Sequence, residues 1–226
     1  MSELTVSELA DRLGVTHRRA RDVVSSGAIA SRRLANGMWL ADADSVTRYE
    51  IAAVRGRGRR LTAATAWGVL WELSGLDVDW LSPRTHARLR ERIRGTTAHA
   101  LALAVAGRTA QHRFRAANSA RAADDLIATG RAASSVLGGE LLDDRRRASG
   151  YVRRGSVEEY AATHFMIPDS SGQDVLYENT LPIEFDADAM PIAVVAADLA
   201  VSTDTRERSV GIRTLEQARR SWLAAH

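Results

Sequence analysis

"LGVTHRRARDVVSSGAI", residues 13–29, places His17, Arg18, Arg19 and Arg21 within five consecutive positions, among small apolar residues. Thr16 stands where a helix N-cap is wanted, and Gly27 can close the helix after about Ser25. At 100° per residue, Ala20, Val23 and Val24 gather on one side. Arg18, Arg21 and Ser25 point away from that side, and His17 and Arg19 flank them. The stretch before it, "TVSELADRLG", puts Val6, Leu9, Ala10 and Leu13 at i, i+3, i+4 and i+7, which predicts another short helix. Ser7 is its expected cap, and Gly14 supplies the left-handed residue that a sharp turn requires. The small Ala20 lets two such helices cross closely.

Two short helices in this order, the second with its polar residues near its N-terminus, make a helix-turn-helix pattern. The first helix braces; the second offers side chains to base edges in the major groove of DNA. Thr16, His17, Arg18, Arg19, Arg21 and Ser25 are the candidate contacts. Further on, "SRRL" and "MWLA" flank Asn36-Gly37, two residues that both tolerate positive φ and predict a two-residue hairpin turn. Arg32 and Arg33 fall on the strand before that turn, where a wing would meet the DNA backbone or minor groove. Asp42 or Asp44 is placed to start a third helix carrying Val46, Tyr49 and Ile51.

The whole run "LTVSELADRLGVTHRRARDVVSSGAIASRRLANGMWLADADSVTRYE" resembles the excisionase- or MerR-type winged helix-turn-helix. That family shows a TVxEAAxxLGV start, a basic recognition helix, a G-x-I turn, a wing ending in an aromatic residue and a final helix. The resemblance implies a DNA-binding domain over residues 1–54. "RGRGRR", residues 55–60, then joins glycine flexibility to four arginines and reads as a basic linker.

Composition narrows the rest. The chain has 226 residues, long enough for two domains, and no cysteine, which excludes disulfides and thiolate metal sites. Its longest apolar runs, "WGVLW" and "MPIAVVA", fall far short of the roughly 20 residues a membrane span needs. The start is charged and amphipathic rather than signal-like. A cytoplasmic protein with no membrane partner is expected. All 31 basic residues are arginine, planar forks suited to phosphate or carboxylate. Residues 1–60 hold 11 Arg against 7 acidic residues, whereas 165–204 hold 8 acidic residues and no Arg. A basic front and an acidic back predict two different partners.

Residues 61–226 read as helical at first and mixed α/β later, which makes the whole chain α+β. "LTAATAWGVLWELSGL" is a helix with Trp67, Leu70, Trp71 and Leu73 inside. "WLSPRTHARLRERIRG" is a second, with Ser82 as cap, Pro83 at its first position and Arg84, Arg88 and Arg92 along one face. Beyond residue 110, "QHRFRA", "GYVRRG", "HFMIP", "DVLYEN", "LPIEF" and "PIAVVAADLA" read as strands. "SARAADDLIATG", "SVEEYAATH" and the C-terminal "STDTRERSVGIRTLEQARRSWLAAH" read as helices, the last capped by Ser202 or Thr203.

The order "HRFRA…ADDLIATGRAASS…GYV…VLYEN…VVAADLAVSTDTRERSVGIRTLE" resembles the abortive-infection AbiE-type antitoxins. Such proteins pair an N-terminal winged helix with a C-terminal domain that meets a nucleotidyltransferase toxin encoded alongside. The resemblance implies a transcriptional autorepressor that binds double-stranded DNA at its own operator, as a dimer or as repeated copies, and neutralises that toxin. A one-component regulator with a ligand-sensing C-terminal domain is the alternative.

No G-x-S-x-G, P-loop, G-x-G-x-x-G or H-E-x-x-H occurs, and the six histidines never pair at metal-ligand spacing. The chain is expected to be no enzyme and to take no cofactor or metal. One cluster stands out: in "IEFDADA" a strand would put Glu184, Asp186 and Asp188 on one face. Three carboxylates at that spacing repel unless a cation sits above them. Mg²⁺ in a nuclease, arginines of a partner, and solvent at a charged sheet edge are the three readings. The partner reading makes these residues the candidate toxin contact.

Overall fold

The structure is a computed structural model that describes residues 3–54, 61–138, 144, 146–169, 172–202 and 204–226, without the side chains of 44, 48 and 51–54. The basic linker at 55–60, the alternative cap Thr203, and the side chains of Asp44 and Ile51 lie outside the described residues. The architecture is α+β, with two separate sheets. The chain divides into two compact units, Met1–Arg59 with Thr203–Thr205, and Arg60–Ser202 with Arg206–His226.

In the first unit, β1 (Glu3–Thr5) leads into α1 (Val6–Leu13) and α2 (His17–Ser25). The cap of α1 is Thr5, not Ser7. Thr5 accepts from Glu8 N while the Glu8 carboxylate accepts from Thr5 N, a reciprocal capping box that satisfies two donors at once. Glu8 is thereby held below the usual carboxylate range by hydrogen bonds from Thr5. Gly14 takes φ 62 at the turn, the left-handed value that an L side chain resists. Strands β2 (Ser31–Arg33) and β3 (Trp39–Asp42) then form a hairpin, and β3 also pairs with β1, giving an antiparallel sheet of order β1-β3-β2.

That hairpin differs from the expected two-residue turn. Leu34 N donates to Met38 O at 2.7 Å, so three residues form the loop and only Gly37 has positive φ. A three-residue loop needs one left-handed residue at its end, and glycine provides it. Helix α3 (Ala43–Val54) follows, and Asp42 Oδ1 accepts from Ser45 N at 2.7 Å at its start. Leu9, Ala20, Val23, Val24, Ile29, Ala41 and Val46 form the core of this unit.

The second unit begins with α4 (Ala63–Leu73), α5 (Pro83–Gly95) and α6 (Ala98–Val105), each started by a hydroxyl cap from Thr62, Ser82 or Thr97. Its five-stranded sheet contains β4 (Gln111–Ala116), β5 (Leu126–Ala128), β6 (Ser149–Val152), β7 (Met166–Pro168) and β8 (Asp174–Tyr177), ordered β5-β6-β8-β4-β7. Only β6 and β8 run parallel; the other pairings are antiparallel. Side-chain alternation divides the core in two. Ile127, Tyr151 and Tyr177 join the large cluster with Trp67 and Leu70, whereas Leu126, Val152 and Leu176 join Phe114, Val157 and Met166. The second cluster also takes in α7 (Ser119–Ala123) and α8 (Val157–Thr163), which Ser156 and Glu159 start with another capping box.

Three expected elements are different. "SARAADDLIATG" is helical only through Ala123; Leu126–Ala128 leave the helix to pair with β6. "PIAVVAADLA" is not a strand but α9 (Ile192–Ala200), with Ala193 through Ala200 all buried. "LPIEF" belongs to an irregular stretch between β8 and α9. The final helix, α10 (Thr205–Ala225), turns Val210, Leu215 and Trp222 inward. It approaches α9 so closely at Gly211 that a Cβ there would strike the backbone of Ala196 and Ala200. Among the described residues, no helix is long and apolar enough to cross a membrane.

Candidate nucleic-acid interface

The exposed side of α2 is the candidate site. Its inner side is fixed by Ala20, Val23 and Val24, between 0% and 5% exposed, packed with Leu9 of α1. Because the helix period is 3.6, burying those three leaves His17, Arg18, Arg19 and Arg21 in solvent. None of these three guanidinium groups has an ion-pair partner among the described residues. Thr16 and Ser25 are exposed but already engaged. Thr16 Oγ1 caps the helix by accepting from Arg19 N at 3.3 Å, and Ser25 Oγ donates to Asp22 O at 3.1 Å.

Below α2, the unit is braced by a partly buried ion pair. Arg12 of α1 donates from Nε and Nη2 to Glu50 of α3 at 3.1 and 2.8 Å, and Nη2 also reaches Thr47 Oγ1 at 2.8 Å. The sequence reading singled out none of these three, because their partners lie 35 and 38 positions apart.

The hairpin arginines differ from those of α2. Arg32 makes a two-pronged bond to Glu3, both contacts at 2.7 Å, which holds the Glu3 carboxyl below its usual range. Arg33 donates to Gly37 O at 3.3 Å, and its guanidinium lies 5.9 Å from the Trp39 ring. Among the described residues Arg33 has no acidic partner, whereas Arg32 is held by Glu3.

In the second unit, Glu184, Asp186 and Asp188 do not share a strand face, because no strand forms there. Their exposure still alternates, with Phe185 turned in against Trp71 at 5.3 Å between ring centroids. Asp186 and Asp188 flank Arg153, at 2.5 and 3.9 Å, so their cation comes from β6–α8 of the same chain. Glu184 is exposed and apart from them. Among the described residues, no group of three or more potential ligands is placed to hold a metal ion.

Two buried polar clusters have no counterpart in the sequence reading. Arg108, Tyr151, Thr129 and Asp198 form one: Arg108 Nη2 donates to Asp198 and to Tyr151, and Thr129 Oγ1 donates to Asp198 at 2.6 Å. Burial opposes the charge on Arg108, but Asp198, Tyr151 and Tyr177 together outweigh it and raise the guanidinium's affinity for its proton. Burial also pushes the Tyr151 hydroxyl well above the usual phenol range.

The second cluster centres on Glu72, 6% exposed, which receives His86, Arg90 Nε at 2.6 Å and Trp222 Nε1 at 3.2 Å. Burial opposes its charge, yet bonds from His86 and Arg90 prevail and hold the carboxyl below the usual range. Glu72 and Trp222 also border a groove of about 1150 Å³, lined besides by Leu73, Val136, Ile192 and Ile212. No protein-family model, curated protein or solved structure matches this chain.

Proposed function

We propose that the chain is a DNA-binding autorepressor whose first unit acts as a winged helix-turn-helix, with α2 in the major groove and the β2–β3 hairpin as the wing. The observation that carries this reading is the unpaired state of Arg18, Arg19 and Arg21 on a helix whose opposite side is fully buried. A guanidinium fork matches the O6 and N7 acceptors of guanine, and each such contact contributes about 1–3 kcal/mol of discrimination. Support from Leu9 and the Arg12–Glu50 pair holds the helix backbone in one register, while each of the exposed arginine side chains still gives up rotamer freedom on binding. Arg33 serves the adjoining backbone.

Residues 61–226 are, in the same reading, the antitoxin half, which meets a nucleotidyltransferase toxin. Its support is the resemblance of the sequence to AbiE-type antitoxins and the acidic balance of residues 165–204. Asp186 and Asp188 remain open to a basic partner despite Arg153, since both are almost wholly exposed. The second reading, a one-component regulator, draws on the groove beside Trp222, which mixes apolar side chains such as Val136, Ile192 and Ile212 with charged ones such as Glu216 and Arg220.

The test is a gel shift at fixed salt, using the duplex upstream of the coding sequence. Arg18→Ala with Arg21→Ala is expected to abolish selective binding and leave the circular-dichroism melt unchanged. Undiminished selectivity would overturn the DNA reading. Co-expression with the neighbouring gene tests the antitoxin half: copurification or growth rescue supports it, and neither leaves only the repressor.

A further inference from the structure

Some exposed arginines among the described residues have an acid beside them: Arg32 reaches Glu3, Arg94 reaches Glu91, Arg147 reaches Asp144, and Arg220 reaches Glu216. Helix α5 carries a row that has none. Arg84, Arg88 and Arg92 are all exposed, and none has a partner among the described residues. Glu91 on the same helix pairs with Arg94 at 2.9 Å, and Glu72 is occupied by His86, Arg90 and Trp222. Leu89 and Ile93, 2% and 0% exposed, pin the opposite side of α5 and fix the row outward.

From this arrangement we propose that Arg84, Arg88 and Arg92 form a second DNA contact, gripping the phosphate backbone of duplex DNA. The inference rests on the DNA-binding reading of the first unit. Successive members are about 6 Å apart along the helix and within an arc of about 80°, a spacing that suits neighbouring phosphates of one strand. A guanidinium fork binds a phosphate through two parallel hydrogen bonds. The only other helix with three unpaired arginines among the described residues is α2. A continuous polyanion meets all three guanidinium groups of the row at once. Such contacts are indifferent to base sequence and add affinity and salt dependence.

The experiment compares the full chain with its Arg84→Gln/Arg88→Gln/Arg92→Gln variant. Binding is followed by fluorescence anisotropy on a labelled upstream duplex and on a scrambled duplex of equal length, across a salt series. Loss of three phosphate contacts lowers the slope of log affinity against log salt by about 2 to 3. The proposal expects that fall, with equal weakening on both duplexes and the specificity ratio preserved. An Arg121→Gln/Arg154→Gln control removes two unpaired arginines elsewhere and leaves the slope close to that of the parent chain. An unchanged slope in the triple variant overturns the second contact alone. If the parent chain binds neither duplex, both the contact and the reading of the first unit fall. Unchanged DNA binding with lost binding to poly-L-glutamate assigns the row to an acidic protein and also overturns the proposal.

Discussion

Arg12 and Glu50 lock the first helix of the chain to the third, with Arg12 Nη2 2.8 Å from Glu50 Oε2 and Glu50 only 6% exposed. Removing the carboxylate leaves the guanidinium without its charged partner in a half-buried site. Glu50→Ala is expected to cost the first unit about 2–3 kcal/mol, the scale of a hydrogen bond to a charged group. Hydrogen exchange of the α1 and α3 amides checks it: exchange should accelerate by about 30- to 150-fold while α4 is unaffected. Equal protection in the parent and the variant would show that the pair braces nothing.

Under the proposed DNA-binding reading, Glu3 restrains the β2–β3 hairpin. It holds Arg32 by two bonds of 2.7 Å, so Arg32 reaches a phosphate only by giving them up. Glu3→Gln should tighten duplex binding and steepen the salt dependence by about 0.9, one added phosphate contact. Weaker or identical binding in the same anisotropy series counts against a phosphate-contacting role for Arg32.

Asp198 and Arg108 pose a larger energetic question, since both side chains are almost fully buried. Asp198→Ala strands a buried cation and is expected to cost about 3–5 kcal/mol. Arg108→Met combined with Asp198→Leu should recover part of that loss, because no buried charge remains, while the Tyr151 and Thr129 hydroxyls still lose their acceptor. Urea midpoints of the three chains decide the matter. A single variant no less stable than the double would mean the charges do not depend on each other.

Glu72 makes stability depend on acidity. Bonds from His86 and Arg90 lower its folded pKa below the ordinary value of 4.5, so the unfolded chain binds the proton more readily. Its contribution is therefore fully present above pH 4.5 and is lost as pH falls through the lowered folded value. Glu72→Gln should flatten the decline in melting temperature of the full chain over that acid range. Parallel declines in the two chains would assign the acid sensitivity to other carboxylates.

The first fifty residues were almost wholly legible in the sequence, because their signals are short-range. A hydroxyl cap, a left-handed glycine and an apolar stripe each act within one helical turn, and Gly14, Thr16 and Gly37 behave accordingly. The differences there were a cap displaced from Ser7 to Thr5, a loop longer by one residue, and a third strand at Glu3–Thr5 that the sequence reading did not expect. The same local signals placed Ser82 at the start of α5.

Tertiary structure decided what local signals leave open. "PIAVVAADLA" carries no polar face because α9 is surrounded on every side, and an unbroken apolar run looks alike as strand or helix. Leu126 and Ile127 became strand because β6 was there to pair with them, while the alternating "IEFDADA" found no partner strand and stayed irregular. The pairs Arg12–Glu50 and Arg108–Asp198 join positions 38 and 90 residues apart. By itself, then, the sequence determined which arginines α2 turns outward, since helical period and burial settle that within nine residues. Which of the chain's arginines stay free of an acid was decided by the fold, because an ion pair depends on distance in space and not along the chain.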